Sequence, residues 1–177
     1  MNRDSNAYTF LFATLMVLVV ASSLAFTASS LKDLQNANVR KEKMQNILAT
    51  IGIESDREEA EKLYREYITA ELSLTQSGAV DAEVSAFEIK LNNELKKPKS
   101  DQRFPMYEAE VEGEKYYIIP LRGAGLWNAI WGYIALEEEK NTIKGAVCDH
   151  TGETARLGAE ITQQGFQDRK KKKKVFD

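Results

Sequence analysis

The chain has 177 residues, of which 43% are hydrophobic and 29% are charged. This length suits one ordinary domain with an appendage, and the composition excludes a disordered chain and a protein with many membrane spans. The net charge is −3, although residues 169–174 alone carry six positive charges. The rest of the chain is therefore more acidic than the total indicates, which argues against a nucleic-acid partner.

The first predicted element is a membrane anchor over residues 7–31, after a short N-terminal tail over residues 1–6. The anchor contains no charged residue, and about 20 apolar residues suffice to cross a bilayer as a helix. A cleaved signal peptide is the alternative, with small residues at Ala21 or Ala25 near the cleavage site. The apolar core is longer than the roughly 7–15 residues of a usual signal peptide, which favours a retained anchor.

Two helical segments follow the anchor. Residues 32–54 are predicted to form a juxtamembrane stalk, whose helix ends at Gly52, because apolar residues recur there at roughly helical spacing. Ser55 and Glu58 then resemble a capping box, which predicts the start of a second short helix over Asp56–Thr69. One face of that helix is apolar, so we expect it to dock on the domain that follows.

An antiparallel sheet is predicted for the rest of the domain, which spans residues 55–168 and precedes a basic tail over residues 169–177. Apolar residues that alternate with polar ones predict half-buried strands. The predicted strand segments are Leu72–Leu74, Phe87–Leu91, Tyr107–Val111, Tyr116–Pro120, Trp131–Leu136 and Thr142–Val147. Polar turns predict hairpins between them, and Asn92–Arg103 is predicted to be a loop. The predicted fold class is α+β, with one N-terminal transmembrane helix and a small antiparallel-sheet domain.

The segment from Gly123 to Glu160 is the candidate functional region. A loop with two glycines and Trp127 precedes one predicted hairpin, and a polar loop follows it after His150. Glycines permit close backbone approach and a tryptophan face can stack on a flat ligand, although turn glycines and a core tryptophan are the more ordinary interpretations. We also predict an anion-binding nest of backbone N–H groups at Gly152 and Gly158.

Residue types that common enzymes require are scarce. Cys148 and His150 are the only cysteine and histidine, so this chain alone makes no intrachain disulfide, cysteine-rich cluster or zinc site with several histidines. There is no P-loop motif, and Gly123-Ala-Gly125 lacks the third glycine of a dinucleotide fingerprint. These features disfavour an anchored soluble enzyme.

Taken together, the motifs resemble a known family. The anchor followed by GLW, WGYIALE, IKG and DHTGETARLGAEI is similar to the C subunit of the sodium-translocating NADH:quinone oxidoreductase, over nearly the whole chain. The G subunit of the Rnf electron-transport complex shares the same FMN-binding domain. The resemblance implies an FMN-carrying subunit that relays electrons between redox centres, with other membrane subunits and lipid as partners.

The resemblance also implies site positions. No residue is implied to be catalytic or to bind a metal. The residues implied to bind FMN are Gly125, Leu126 and Trp127 beside the ring, with Glu153, Thr154, Leu157 and Gly158 lining the rest of the site. The family places its domain in the periplasm, on the cytoplasmic membrane. The positive charges that follow the anchor indicate the cytoplasm instead by the positive-inside rule, and we favour the family's placement.

Two departures from the family pattern stand out. The family usually has Glu-Thr-Pro-Gly-Leu-Gly where this chain has Ala155 and Arg156 in place of proline and glycine. That arginine could obstruct backbone approach or pair with a phosphate. The family joins FMN to the threonine of a downstream Ser-Gly-Ala-Thr motif. The 177 residues contain no such motif, since Ser77–Ala79 is followed by Val80.

We therefore expect no covalent FMN attachment in this chain. Its lysine-rich end predicts a C-terminally truncated member of the family, and the alternative is a naturally short version with a solvated basic tail. A structural or assembly module on the same scaffold, without a cofactor, is the alternative function.

Overall fold

The computed structural model describes residues 5–176, so most of the predicted tail over residues 1–6, and Asp177, lie outside the described residues. The contacts divide the chain into two compact units, Met1–Arg40 and Lys41–Asp177. The second unit contains the sheet and the candidate site.

The first helix, α1, spans Asn6–Thr50. By length and composition it is able to cross a membrane, and an N-terminal signal sequence shares these properties. The large apolar side chains between Phe10 and Phe26 are exposed, as a lipid-facing helix requires. Hydroxyl groups there are satisfied within the helix, since Ser23 Oγ donates to the Val19 carbonyl at 2.8 Å.

The last turns of α1 belong to the second unit. Ile47 and Leu48 are fully buried in its core, and the helix ends at Thr50 just before Gly52, which has a φ of 86°. The prediction that this helix stops at the glycine is confirmed. The unit begins at Lys41 and not at residue 55, because Ile47, Leu48 and Ile51 of the predicted stalk are core residues.

The second helix, α2, spans Ala60–Tyr67 and is shorter than predicted. The capping box is wrong, because the Ser55 hydroxyl is buried with no hydrogen-bond partner among the described residues. Asp56 takes its place: its Oδ1 accepts hydrogen bonds from the backbone N–H groups of Glu58 and Glu59, each at 2.9 Å. A carboxylate one position further along therefore organises the turn that precedes the helix.

Within the described residues, five strands form one antiparallel sheet in the order β1-β2-β3-β4-β5. The strands are β1 Ile68–Leu74, β2 Phe104–Val111, β3 Glu114–Ala124, β4 Ala129–Leu136 and β5 Ile143–His150. The predicted α+β class is confirmed, and so are the predicted hairpins between β2 and β3 and between β4 and β5. The first of these turns at Glu112 and Gly113, whose φ values are 54° and 84°.

One face of the sheet carries the core. Alternate residues of the three central strands point to this face, as a period of two requires. The core residues on these strands are Tyr107 and Ala109, Tyr116 and Ile118, and Tyr133 and Ala135. Gly145 of β5 allows the end of α1 to approach, since a Cβ there would lie 2.2 Å from the Thr50 carbonyl oxygen.

The segment around Phe87 is not a strand, contrary to prediction. Ala86–Glu88 forms a 3-10 turn, and Leu91–Glu94 forms a short helix, α3. Phe87 is buried against Tyr64 with ring centroids 5.7 Å apart, and Lys43 lies over its ring at 4.5 Å. Its side chain therefore reaches the core from a turn that packs over the sheet. The predicted loop Asn92–Arg103 includes the end of α3 and a second 3-10 turn, Lys99–Asp101.

The basic tail follows a 3-10 turn, Ala159–Thr162, and a short helix, α4, over Gln164–Asp168. Its backbone pairs with the edge of β5: Lys172 N donates to the Ile143 carbonyl at 2.8 Å, and Ile143 N donates to the Lys173 carbonyl at 2.9 Å. The lysine side chains of residues 172–174 are exposed. The tail is therefore solvated at its side chains and paired at its backbone.

Candidate functional site

Antiparallel pairing brings two loops to the same end of the sheet. The turn between β3 and β4 is closed by Gly125 N, which donates to the Asn128 carbonyl at 2.7 Å. Strand β5 ends at His150, opposite Ile130 near the start of β4. Thr151 N continues this pairing by donating to the Ala129 carbonyl at 3.0 Å. All seven residues predicted to bind a cofactor lie on these two loops.

The Glu153 carboxylate joins the two loops. Its Oε1 accepts hydrogen bonds from the backbone N–H groups of Trp127 at 3.1 Å and Asn128 at 3.0 Å. The residue is only 8% exposed, and its own N–H donates to Nδ1 of His150 at 3.1 Å. The N–H groups of Asn128 and Trp127 favour the ionised form and hold the pKa of Glu153 below its ordinary value.

Two glycines make room for this carboxylate. A Cβ on Gly125 would lie 2.3 Å from Glu153 Oε1, and one on Gly158 would lie 2.7 Å from Oε2. By contrast, a Cβ on Gly152 would meet nothing within 4 Å. The close backbone approach predicted from the glycines therefore exists, and the group approached is a side chain of the protein.

The anion-binding nest predicted at Gly152 and Gly158 is not available at Gly158. The N–H groups of Leu157 and Gly158 both donate to the Thr154 carbonyl at 3.1 Å, so they close a turn and are not free for an anion. Successive N–H groups converge on an anion at Trp127 and Asn128 instead, and that anion is Glu153. The sequence offered no local signal for this contact, because Glu153 lies 25 residues after Asn128.

Three large apolar side chains are exposed on the joined loops. Leu126, Trp127 and Leu157, which we call the loop patch, are 64%, 67% and 66% exposed. The interpretation of Trp127 as a core residue is therefore wrong, whereas Trp131 is partly buried and packs edge-on against Tyr133 at 6.5 Å. Exposed apolar groups on a polar, hydrogen-bonded support are typical of a surface that accepts a ligand or partner.

The second loop carries the departure from the family pattern. Arg156 has a φ of 67°, in the left-handed region that favours glycine, and its N–H donates to the Glu160 carboxylate. The backbone has therefore kept the shape that a glycine would adopt. Thr154 and Arg156 both have exposed side chains. Within residues 5–176, no group of three or more histidine, cysteine, aspartate or glutamate side chains is placed to hold a metal ion.

Comparisons with known proteins agree with this architecture. No family model matches the chain. The C subunit of the Na(+)-translocating NADH-quinone reductase of Vibrio anguillarum is 30% identical over 193 residues, which are 99% of this chain and 75% of that protein. The crystal structure of the corresponding protein from Parabacteroides distasonis is 37% identical, with a TM-score of 0.76 over 82% of this chain and 71% of that chain.

A second crystal structure, Shewanella oneidensis NqrC, is 24% identical with a TM-score of 0.69 over 78% of this chain and 71% of that chain, and it supports the fold alone. These similarities define a class of protein, the α+β subunits of NADH-quinone reductases. The chain belongs to the family of the C subunit of the Na(+)-translocating NADH-quinone reductase. The family resemblance drawn from the motifs is thereby confirmed.

Proposed function

We propose that this chain is the flavin-carrying, electron-transfer subunit of a Na(+)-translocating NADH-quinone reductase, and that it binds FMN at the loop patch. Family membership supports a place in that complex. The observation that carries the cofactor assignment is the junction made by Glu153, which brings the Trp127 and Thr154 loops together and leaves three large apolar side chains exposed.

The residues present fit such a cofactor. The loop patch would lose exposed apolar area under a flat ring, and burial of apolar area stabilises a complex by about 25 cal/mol per Å². Trp127 can stack on the ring, while the Thr154 hydroxyl and the Arg156 guanidinium can pair with the phosphate. Bound FMN would supply one-electron redox chemistry. The chain's own residues would bind it, orient it and cover one of its faces.

The rest of the assignment follows from the organisation of the chain. Residues 7–31 would anchor the protein in the cytoplasmic membrane, with lipid around them and the domain in the periplasm. The other subunits of the reductase would be its partners. Among residues 5–176, α1 is the one helix long and apolar enough to cross a membrane, and a single helix provides no path lined with polar side chains. Sodium translocation would therefore belong to the other subunits of the assembly.

The first test is the Trp127→Ala variant of the full chain in detergent. We expect FMN affinity to fall about tenfold, because an aromatic stacking partner and its buried area are lost. Stability should stay unchanged, since the Trp127 side chain is 67% exposed. FMN binding is measured by quenching of flavin fluorescence, and stability by thermal unfolding. Leu95→Ala, at a residue 51% exposed just after α3 and outside both loops, is the matched control and should leave affinity unchanged.

A second outcome would favour the cofactor-free module. If the purified wild-type chain shows no flavin absorption, releases no flavin on acid extraction and binds no added FMN, the flavin assignment is wrong. Equal losses of affinity in Trp127→Ala and Leu95→Ala would also contradict the location of the site at the loop patch.

A further inference from the structure

We infer that Glu153 is a positioning residue, whose carboxylate fixes the backbone of Trp127 and Asn128 and thereby orients the loop patch without contacting the ligand. This inference rests on the proposed function, because it names how the same site is held in shape. It differs from the role that the family resemblance implies, in which Glu153 lines the cofactor site itself.

The hydrogen bonds at the β3–β4 turn show what the carboxylate does. Gly125 N donates across the turn to the Asn128 carbonyl, whereas Asn128 N donates to Glu153 Oε1. In a two-residue hairpin, the Asn128 N–H would normally donate back across the turn to the Gly125 carbonyl. Here the Glu153 side chain accepts that hydrogen bond instead. Trp127 N donates to the same oxygen, so the carboxylate fixes both residues that follow Leu126.

The surroundings of the carboxylate keep a ligand away from it. Glu153 is 8% exposed, and its Oε2 is buried with no hydrogen-bond partner among the described residues. Gly125 and Gly158 lie so close that a Cβ on either would collide with a carboxylate oxygen. A ligand atom that bound to this carboxylate would have to displace one of the two loops.

The exposed position of Trp127 makes this support necessary. Its side chain is 67% exposed and receives little orientation from packing. The backbone must therefore set its direction, and hydrogen bonds to an ionised acceptor are stronger than those between neutral groups. Removal of the carboxylate would leave two N–H groups without their acceptor and release the turn that carries the patch.

The experiment compares Glu153→Ala with Glu153→Gln in the full chain, because glutamine keeps an oxygen acceptor and removes the charge. Hydrogen exchange measured by mass spectrometry reports the protection of the Trp127 and Asn128 amides, and a titration with FMN reports affinity. Glu139→Ala is the matched control, since Glu139 Oε1 accepts from the Thr142 N–H at 3.0 Å in the opposite turn. Protection of the β2 and β3 amides verifies that each variant is folded.

We expect Glu153→Ala to exchange about tenfold faster at Trp127 and Asn128 and to bind FMN about tenfold more weakly, because both amides lose a charged acceptor. Glu153→Gln should stay within about threefold of wild type in both measurements. Glu139→Ala should change neither quantity at this site.

Three results would overturn the inference. The first is unchanged exchange at Trp127 and Asn128 in a folded Glu153→Ala variant. The second is faster exchange with unchanged FMN affinity. The third is protected amides in Glu153→Gln with affinity as low as in Glu153→Ala, which would mean that the charge acts on the ligand directly. A wild-type chain that binds no FMN refutes the proposed function instead, and the exchange data then decide on their own whether Glu153 holds the turn.

Discussion

In the turns at both ends of β4, a glutamate carboxylate accepts a backbone N–H group. The two turns differ in where that glutamate lies in the chain. In the β4–β5 turn, Glu139 accepts the N–H of Thr142, three residues further along, and Glu139 is exposed. In the β3–β4 turn, the carboxylate belongs to Glu153 in another loop and is 8% exposed. The first contact stabilises a turn locally, whereas the second ties two loops into one surface.

This difference supports the proposal that the cofactor site lies at the β3–β4 end of the sheet. A local cap fixes only its own turn, and the β4–β5 turn is otherwise polar. A buried carboxylate from a distant loop requires glycines around it and leaves apolar side chains outside, as Leu126 and Leu157 show. An arrangement that buries a charge and restricts two positions to glycine is expected where the geometry of the loops matters for function.

The largest expected effect comes from Gly125→Ala. The new Cβ would lie 2.3 Å from Glu153 Oε1 and 2.7 Å from the Asn128 carbonyl oxygen, so the carboxylate or the turn must move. Overpacking of this kind destabilises by about 1–3 kcal/mol. Denaturant unfolding of the full chain in detergent measures the change. The matched control is Gly152→Ala, because a Cβ there meets nothing within 4 Å. Equal stability of the two variants would show that the β3–β4 turn is no tighter than the loop beside it.

Much of the sheet was predictable because its central strands bury a single face. On β2 the buried Tyr107 and Ala109 alternate with the more accessible Met106, Glu108 and Glu110, which gives the period of two that the prediction used. Phe87 shows the limit of this reasoning. A buried aromatic with apolar residues two positions away fits a strand, yet tertiary packing against Tyr64 is equally satisfied from a turn.

The candidate loops were predictable from their glycines and from the family motifs, and their internal contacts were not. Trp127 and Trp131 are four residues apart, and a turn between them interrupts the alternation that would show which one faces the core. The pairing of Glu153 with the Trp127 backbone depends on how β3, β4 and β5 align. A pairing of this kind leaves no periodic trace in the sequence.

The second prediction concerns pH. Hydrogen bonds from the backbone hold the pKa of Glu153 below its ordinary value of 4.5, so its contribution to stability is complete above that value. The contribution is lost as pH falls through the lower pKa of the folded state. Glu153→Gln, which cannot ionise, should therefore lose less stability than wild type between neutral pH and the acid range. Thermal unfolding at several pH values across this range measures how steeply stability falls with pH.

The comparison for pH is Glu139→Gln. The pKa of Glu139 is also lowered, first by its hydrogen bond with Thr142, but the contact lies in an exposed turn where water can replace it. We expect this variant to follow the wild-type slope closely. If Glu139→Gln reduces the dependence of stability on pH more than Glu153→Gln does, the Glu153 carboxylate is not the more important of the two.

The smallest expected effects come from two cations in left-handed conformations, Lys140 in the β4–β5 turn and Arg156 in the loop that follows β5. Arg156 has a φ of 67° and Lys140 a φ of 61°. The left-handed region costs an ordinary residue about 1–2 kcal/mol, and glycine costs about 0.5–1 kcal/mol in chain entropy, so Arg156→Gly should stabilise by roughly 0.5–1 kcal/mol. The backbone N–H that donates to Glu160 survives the substitution.

Lys140→Gly should gain nothing, although its backbone strain is the same. The Lys140 ammonium lies over the Tyr117 ring at 4.4 Å, and loss of this contact costs about 0.5–1 kcal/mol at an exposed site. Denaturant unfolding of both variants in parallel measures the difference. A stabilisation of Lys140→Gly equal to that of Arg156→Gly would mean that strain alone matters at both turns. A loss of stability in Arg156→Gly would mean that the arginine side chain holds its loop through contacts that outweigh the strain.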